Sequence, residues 1–282
     1  MCVIVAKYFD DVGWVGAKNR DRSYRPKVHI KKSFRQNKER LMIWDADTKW
    51  TEGVNEYGIA MISSASGASM DMKKDEKPKT GKDSKDGKKM RTALFEKTPK
   101  AGLDNLVENE IVGSTIVFSK DECWILESIK RKGDFQYKTR KVPKDEVMIR
   151  TNHGIMIPSM GYQSGDDRQS SEKRYEIAKD GIAKAKDSKE LLAAISVTDK
   201  KDSQMAPLRT YNEKDKSFQM WTTGQIMCVP SDGALHYRPI KSEVEYNVDK
   251  LNDESHKTKF EIISSKNLLS QSFVMTFGEY II

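Results

Sequence analysis

Apolar residues in this chain arrive as short β-type runs cut by turns, and helical spacing appears in only two places. Residues 2–9 and 14–20 both carry Val and aromatic side chains, and Asp10-Asp11-Val12-Gly13 between them has turn chemistry. The pair reads as a hairpin that brings Asn19-Arg20-Asp21 back beside Cys2. Further strands are predicted over 28–33, 40–45, both sides of the turn Asn55-Glu56-Tyr57-Gly58, then 113–119, 123–128, 135–141 and 147–150. A last set covers 208–211, 217–227 and 235–246, with a closing or edge element in the tail 248–282. Helical spacing is confined to 91–110, where Pro99 and Gly102 should break it into two short helices, and to 170–197. In the latter, Ser170 or Ser171 can cap one helix and Ser188 a second. Strand-dominated order with segregated helices predicts an α+β chain with mainly antiparallel sheets.

At 282 residues the chain reads as a single domain over 1–282. Charged residues make up 33% and hydrophobic residues 37%, a polar balance, yet the clustering of the apolar residues predicts a folded core. The net charge of +8 is a small excess of 50 basic over 42 acidic residues, which predicts no specific nucleic-acid partner. Residues 71–90 concentrate eight lysines against five acids, net +3, with almost nothing apolar. Such a segment cannot repay its ordering entropy, so a mobile Lys-rich loop is expected there. No apolar run reaches the length of a membrane span and no signal-peptide pattern stands at the start, so no membrane partner is expected. Three widely spaced cysteines, Cys2, Cys123 and Cys228, predict a reducing, cytoplasmic setting. The four histidines are scattered, no zinc spacing occurs, and phosphate-loop, dinucleotide and Gly-x-Ser-x-Gly patterns are absent, so no cofactor and no metal are expected.

Cys2 carries the sharpest chemical signal. Loss of an initiator Met before a small residue would leave it with a thiol and a free α-amine on one residue. The reference pKa values are about 8.5 and about 7.7–8.0, so the amine can take the thiol proton near neutrality. Read alone, Cys2 also fits a buried strand residue. Cys123, in a second apolar strand, reads as an inert core thiol. Arg209 reads as a surface arginine at a strand start.

Cys2-Val3-Ile4-Val5 and Asn19-Arg20-Asp21, followed in order by Asn55-Glu56-Tyr57-Gly58-Ile59, Thr151-Asn152-His153 and Ser170-Ser171-Glu172-Lys173-Arg174, resemble the cysteine branch of the N-terminal-nucleophile hydrolases. That branch includes penicillin V acylases, choloylglycine hydrolases and acyl-coenzyme A:isopenicillin N acyltransferase-like proteins. The resemblance covers about residues 1–230 by motif order. It implies a four-layer αββα sandwich, and a Cys2 nucleophile whose amine is oriented by Asp21. Asn152 would donate to the oxyanion, Arg174 at a helix start would face the thiol, and Asn19 and Arg20 would stand beside them. The family pattern Arg-Asn-x-Asp appears here as Lys18-Asn19-Arg20-Asp21. Lysine does not reproduce a bidentate guanidinium, so substrate handling or thiol activation is expected to differ. The bile-salt type places an Asn where this chain has Ser63, Ser64, Ala65 and Ser66, leaving Ser64 or a backbone N–H as the substitute donor. His153 would line the pocket.

The implied activity is hydrolysis of a non-peptide carbon–nitrogen amide bond in a small acyl-amide substrate, through a thioester. A homo-oligomer is in keeping with the resemblance. Acyl transfer on the same scaffold stays open, as does a catalytically degenerate protein that binds an acyl ligand or a polyanion through residues 71–90.

Overall fold

The hairpin forms. Strand β1 (Cys2–Phe9) pairs antiparallel with β2 (Gly13–Arg22), with Cys2 opposite Arg20 and Phe9 opposite Gly13. Gly13 takes φ +79°, a left-handed turn conformation suited to glycine. The structure, a computed structural model, describes residues 2–24, 26–35, 38–46, 48–65, 86–210, 220–240, 245–250, 259–263, 273–275 and 280–281.

A ladder follows in chain order. Its first strands are β3 (Lys27–Arg35), β4 (Lys38–Asp45), β5 (Thr51–Asn55) and β6 (Ala60–Ser64). It continues through β7 (Gly113–Phe118), β8 (Cys123–Arg131) and β9 (Asp134–Lys141), before the short β10 (Met148–Arg150). Later come β11 (Trp221–Val229), β12 (Ala234–Pro239), β13 (Glu245–Lys250), β14 (Lys259–Ile263), β15 (Phe273–Met275) and β16 (Tyr280–Ile281). Among the described residues these form two sheets, ordered β10-β1-β2-β11-β12-β15-β16 and β14-β13-β3-β4-β5-β6-β7-β8-β9. Among the described residues every strand pairing is antiparallel except that of β13 with β3.

Alternate residues of each strand face opposite sides, and this splits the core into layers. Ile4, Ala6, Trp14, Ile226 and Tyr237 of one sheet meet Ile30, Ile43, Ile62, Ile116 and Phe118 of the other in the central core. A Cβ at Gly16 would lie 2.3 Å from Phe118 Cζ, so glycine there lets the two sheets close. Val3, Val5, Val15 and Ala17 point the other way, onto helices α3 (Gly165–Lys184) and α4 (Ser188–Ala194). On the far side, Met42, Met61, Val117 and Leu126 pack under helices α1 (Asp86–Met90) and α2 (Pro99–Glu108). The result is the expected four-layer αββα sandwich.

Several expectations need correction. Within 71–90, residues 86–90 form α1, whose Met90 is buried in the core; residues 71–85 lie outside the described residues. Glycine at 87 makes that docking possible, since a Cβ there would lie 2.4 Å from the Lys49 carbonyl carbon and the Trp50 nitrogen. The two short helical elements expected over 91–110 are present, a 3-10 helix at Arg91–Phe95 and then α2, but Gly102 breaks neither: Pro99 starts α2 at its first turn, where its missing N–H costs nothing, and Gly102 sits inside that helix against Val117. Helix α3 begins at Gly165 after Ser164, so Ser170 and Ser171 lie within it and serve the site instead of capping. Asp187, not Ser188, caps α4, accepting from the Glu190 N–H. Residues 208–210 are not a strand, and the single strand expected over 235–246 divides into β12 and β13, which belong to different sheets. No helix among the described residues is long and apolar enough to cross a membrane.

Candidate active site

Cys2 begins β1 and lies opposite Arg20, so its thiol shares the inter-sheet face with Lys18, Arg20 and Arg22. Three cations in a row at the end of one strand need partners, and the facing sheet supplies them. Lys18 donates to Glu52 of β5, and Arg20 Nε is 3.6 Å from the same carboxylate. All of these side chains are buried. Arg22 pairs with Asp45 of β4, Nε to Oδ2 at 3.1 Å, and donates from Nη1 to the Asp21 carbonyl at 2.8 Å. The same Nη1 is 3.9 Å from Cys2 Sγ.

Burial pushes the Cys2 thiol up, but Lys18 and then other cations, Arg22 among them, more than offset it, and the net direction is down. At Cys123 and Cys228 burial wins and pushes both thiols up: Arg140 opposes it at Cys123 without offsetting it, and Glu52 adds to it at Cys228. Glu52 is held below the usual carboxylate range, burial being overcome by Lys18 and Arg20.

Asp45 is drawn down to about 2 from its ordinary 3.8, because Arg22, Arg20, the Tyr24 hydroxyl at 2.6 Å and the Thr48 N–H together outweigh its burial. A carboxyl whose folded pKa is depressed adds stability above its unfolded pKa and loses it as pH falls through the folded one. Asp45 should therefore contribute about 2 kcal/mol that is complete above about pH 4 and fades toward pH 2. Urea unfolding of Asp45→Asn against the parent should show a stability gap that narrows by that amount across this window. A gap independent of pH would show that Asp45 does not titrate there.

Asn19 and Asp21 alternate onto the opposite face, toward the helices. Asn19 is fully engaged: Nδ2 donates to the Ile195 and Pro207 carbonyls at 2.6 and 2.7 Å, and Oδ1 accepts from Gln225 Nε2 at 2.9 Å. It ties the hairpin to the segment after α4. Asp21 Oδ1 accepts from Thr222 Oγ1 at 2.8 Å, while Oδ2 stands 3.7 Å from Arg174 Nη1 and 4.0 Å from Arg209 Nη1. Arg174, from α3, is buried and drawn down to about 9, first by burial and then by Arg209. Arg209 is itself 1% exposed and donates to Ser170 Oγ at 2.7 Å, which overturns its reading as a surface arginine.

The loop after β10 closes the site. Asn152 Oδ1 accepts from the Cys2 nitrogen at 3.2 Å and from Arg174 Nη2 at 3.1 Å. Its Nδ2 is turned to Ser64 Oγ at 3.2 Å and to the Ala65 carbonyl at 2.7 Å. Ser64 Oγ is also within 3.2 Å of the Cys2 carbonyl and 3.0 Å of the Thr151 carbonyl, so it braces backbone on both strands. Ser66 lies outside the described residues. His153 faces α3: Nδ1 lies 2.9 Å from Ser171 Oγ and 3.1 Å from Thr151 Oγ1, and the ring packs edge-on against Tyr175. Burial first, then Arg168, lowers it to about 4, so the imidazole is neutral at pH 7. Glu127 anchors this loop from β8, accepting from the Ile155, Met156 and Ile157 N–H groups and from Arg150.

Cys2, Lys18, Arg20, Asp21, Ser64, Asn152 and Arg174 thus gather around the start of β1, whereas the Asn19 and His153 side chains are spent on the helix layer. Sequence reasoning missed Arg22, Asp45, Glu52 and Arg209. Alternation could have flagged Arg22 and the need for acids such as Asp45 and Glu52, since Lys18, Arg20 and Arg22 share one face of a buried strand and require buried acids across from them; nothing in the sequence marked Arg209. Among the described residues no group of three or more His, Cys, Asp or Glu could hold a metal ion.

No protein-family model matches the chain, and no curated protein matches it. Among solved structures it is similar to penicillin V acylase from Agrobacterium tumefaciens, with 12% identity over 84% of this chain and 83% of that one, at a TM-score of 0.46. It is also similar to a mutant of conjugated bile acid hydrolase from Clostridium perfringens, with 11% identity over 98% of this chain and 96% of that one, at a TM-score of 0.47.

Proposed function

We propose that this protein is a cysteine amide hydrolase that cleaves a non-peptide carbon–nitrogen bond in a small acyl-amide, with Cys2 as its N-terminal nucleophile. The observation that carries this reading is the pairing of two features at one residue. The Cys2 thiol lies among buried cations that favour its ionised form, while the Cys2 nitrogen is held by Asn152 Oδ1.

Removal of Met1 would turn that nitrogen into an amine already oriented by Asn152, with Asp21 and Arg174 one layer behind. The amine takes the thiol proton, and the sulfur lone pair forms the S–C bond as the carbonyl π pair moves onto oxygen. Collapse restores the carbonyl and breaks the C–N bond, and the leaving amine takes its proton from the Cys2 ammonium. Water then resolves the thioester. Ser64 and Asn152 hold the two backbones around the nucleophile. Glu52 fixes Lys18 and Arg20 beneath it.

The test is the relative reactivity of the three thiols. Brief exposure of folded protein to iodoacetamide at neutral pH, followed by intact mass and peptide mapping, should give a chain lacking Met1 with carbamidomethyl on Cys2 alone. Cys123 and Cys228 should stay unmodified until the protein is unfolded. Retention of Met1 in protein from a processing-competent host, or equal labelling of all three, would sink the mechanism.

A further inference from the structure

We propose that Arg22 is the catalytic guanidinium of this site, holding the Cys2 thiolate and then donating to the oxyanion formed on the substrate carbonyl. The proposal rests on the nucleophilic role of Cys2 put forward above.

Strand β2 runs two residues past the partner of Cys2, because the last β1–β2 pair is Cys2 with Arg20. Arg22 projects beyond the end of β1 on the thiol's own face. Its side chain is 12% exposed, whereas Lys18 and Arg20 are sealed beneath it. Asp45 fixes the guanidinium through Nε, and the Asp21 carbonyl takes one Nη1 hydrogen. The other Nη1 hydrogen is left for Cys2 Sγ, 3.9 Å away. Among the described residues no hydrogen-bond partner engages Nη2.

Charge balance supports the same assignment. The groups on this face around the thiol are Lys18, Arg20 and Arg22 from β2, Asp45 from β4 and Glu52 from β5, with Tyr24 beside Asp45; Arg150 of β10 and Glu127 of β8 share the face and neutralise each other. Three cations against two carboxylates leave one positive charge, which a thiolate neutralises. Asp21, Arg174 and Arg209 lie behind the strand, on the helix side.

The oxyanion needs a donor, and Asn152 does not offer one as it stands, since its Nδ2 faces Ser64 Oγ and the Ala65 carbonyl. In a tetrahedral adduct the oxygen lies about 2.7 Å from sulfur. A nitrogen 3.9 Å from that sulfur can reach it at about 2.9 Å, an ordinary charge-assisted hydrogen bond. Lys18, committed to Glu52 below, cannot serve as that fork.

The experiment compares the parent protein, Arg22→Gln and Arg22→Lys, all with Met1 removed and each checked for folding by urea titration. The first readout is the pH profile of Cys2 alkylation by iodoacetamide. Arg22→Gln should move its midpoint up by about one pH unit and slow labelling at pH 7 by about tenfold; Arg22→Lys should recover part of that. The second readout is acylation by a p-nitrophenyl acyl ester at a pH above both midpoints, where the thiol is ionised in every variant. A remaining deficit of about 10²-fold in Arg22→Gln is expected from loss of the oxyanion donor. An unmoved alkylation midpoint in folded Arg22→Gln, or equal acylation rates at high pH, would overturn the assignment. Such results with Cys2 still selectively labelled leave the nucleophile reading intact. That reading fails separately, if the parent's Cys2 labels no faster than Cys123 and Cys228.

Discussion

Cys2→Ser should fold like the parent and lose about 10⁴-fold or more of its acylation rate. The substitution keeps the size of the side chain and its place at the start of β1, so the Asn152–Cys2 contact and the central core are unaffected. It replaces a thiol whose ionisation is favoured by Lys18 and Arg22 with a hydroxyl that stays protonated at any working pH. Removal of the nucleophile of a serine protease costs about 10⁶ in turnover, which sets the scale for such a loss. The measurement is single-turnover acylation by p-nitrophenyl esters of graded acyl length, with mass detection of the adduct on the Cys2 peptide. A serine variant that acylates within tenfold of the parent would mean that another group attacks.

The second large effect is on stability and needs no substrate. Glu52 is buried without exposure, receives Lys18 and stands 3.6 Å from Arg20. Glu52→Ala removes the charge that compensates two buried cations, whose desolvation is no longer offset. The expected loss is about 3–5 kcal/mol, a large share of the about 5–15 kcal/mol typical of a domain. Urea denaturation would read it as a drop in midpoint at nearly constant slope. The double variant Lys18→Met with Glu52→Leu should recover much of the loss, because the pair goes out together and apolar groups suit the inter-sheet layer. A single-variant loss below about 1 kcal/mol, the range of solvated pairs, would contradict the burial of this cluster.

What could be read from the chain alone follows from which forces are local. The hairpin of β1 and β2 was legible because its apolar runs and its turn at 10–13 lie within twenty residues, and it sufficed to set Asp21 near Cys2. The α+β class was legible because the helical stretches fall in two blocks with strands between, whereas the four layers were implied only by the family resemblance. The partners were not. Glu52 reads as one polar residue in Trp50-Thr51-Glu52-Gly53, and only the packing of β5 against β2, thirty-four positions from Lys18, gives it a purpose. Arg209 looks like any charged residue near a turn until α3 and β11 enclose it. The orientation of the Asn152 amide depends on Ser64 Oγ and the Ala65 carbonyl across the sandwich, a choice no spacing encodes.

The split of charge across β2 also bears on how the chain finds its pairing. Lys18, Arg20 and Arg22 face Glu52 and Asp45, while Asp21 on the reverse side faces Arg174 and Arg209. A slip of one residue in the alignment of β2 would exchange its two faces. Asp21 would then be pressed against Glu52 and Asp45, and the three cations against two buried arginines. Both sides of the misaligned strand would repel at once, whereas Val and Ala alone could tolerate the error. The charged residues around Cys2 therefore double as a lock on strand alignment during folding, and variants that neutralise them should populate misaligned, aggregation-prone chains even where the correctly aligned form survives.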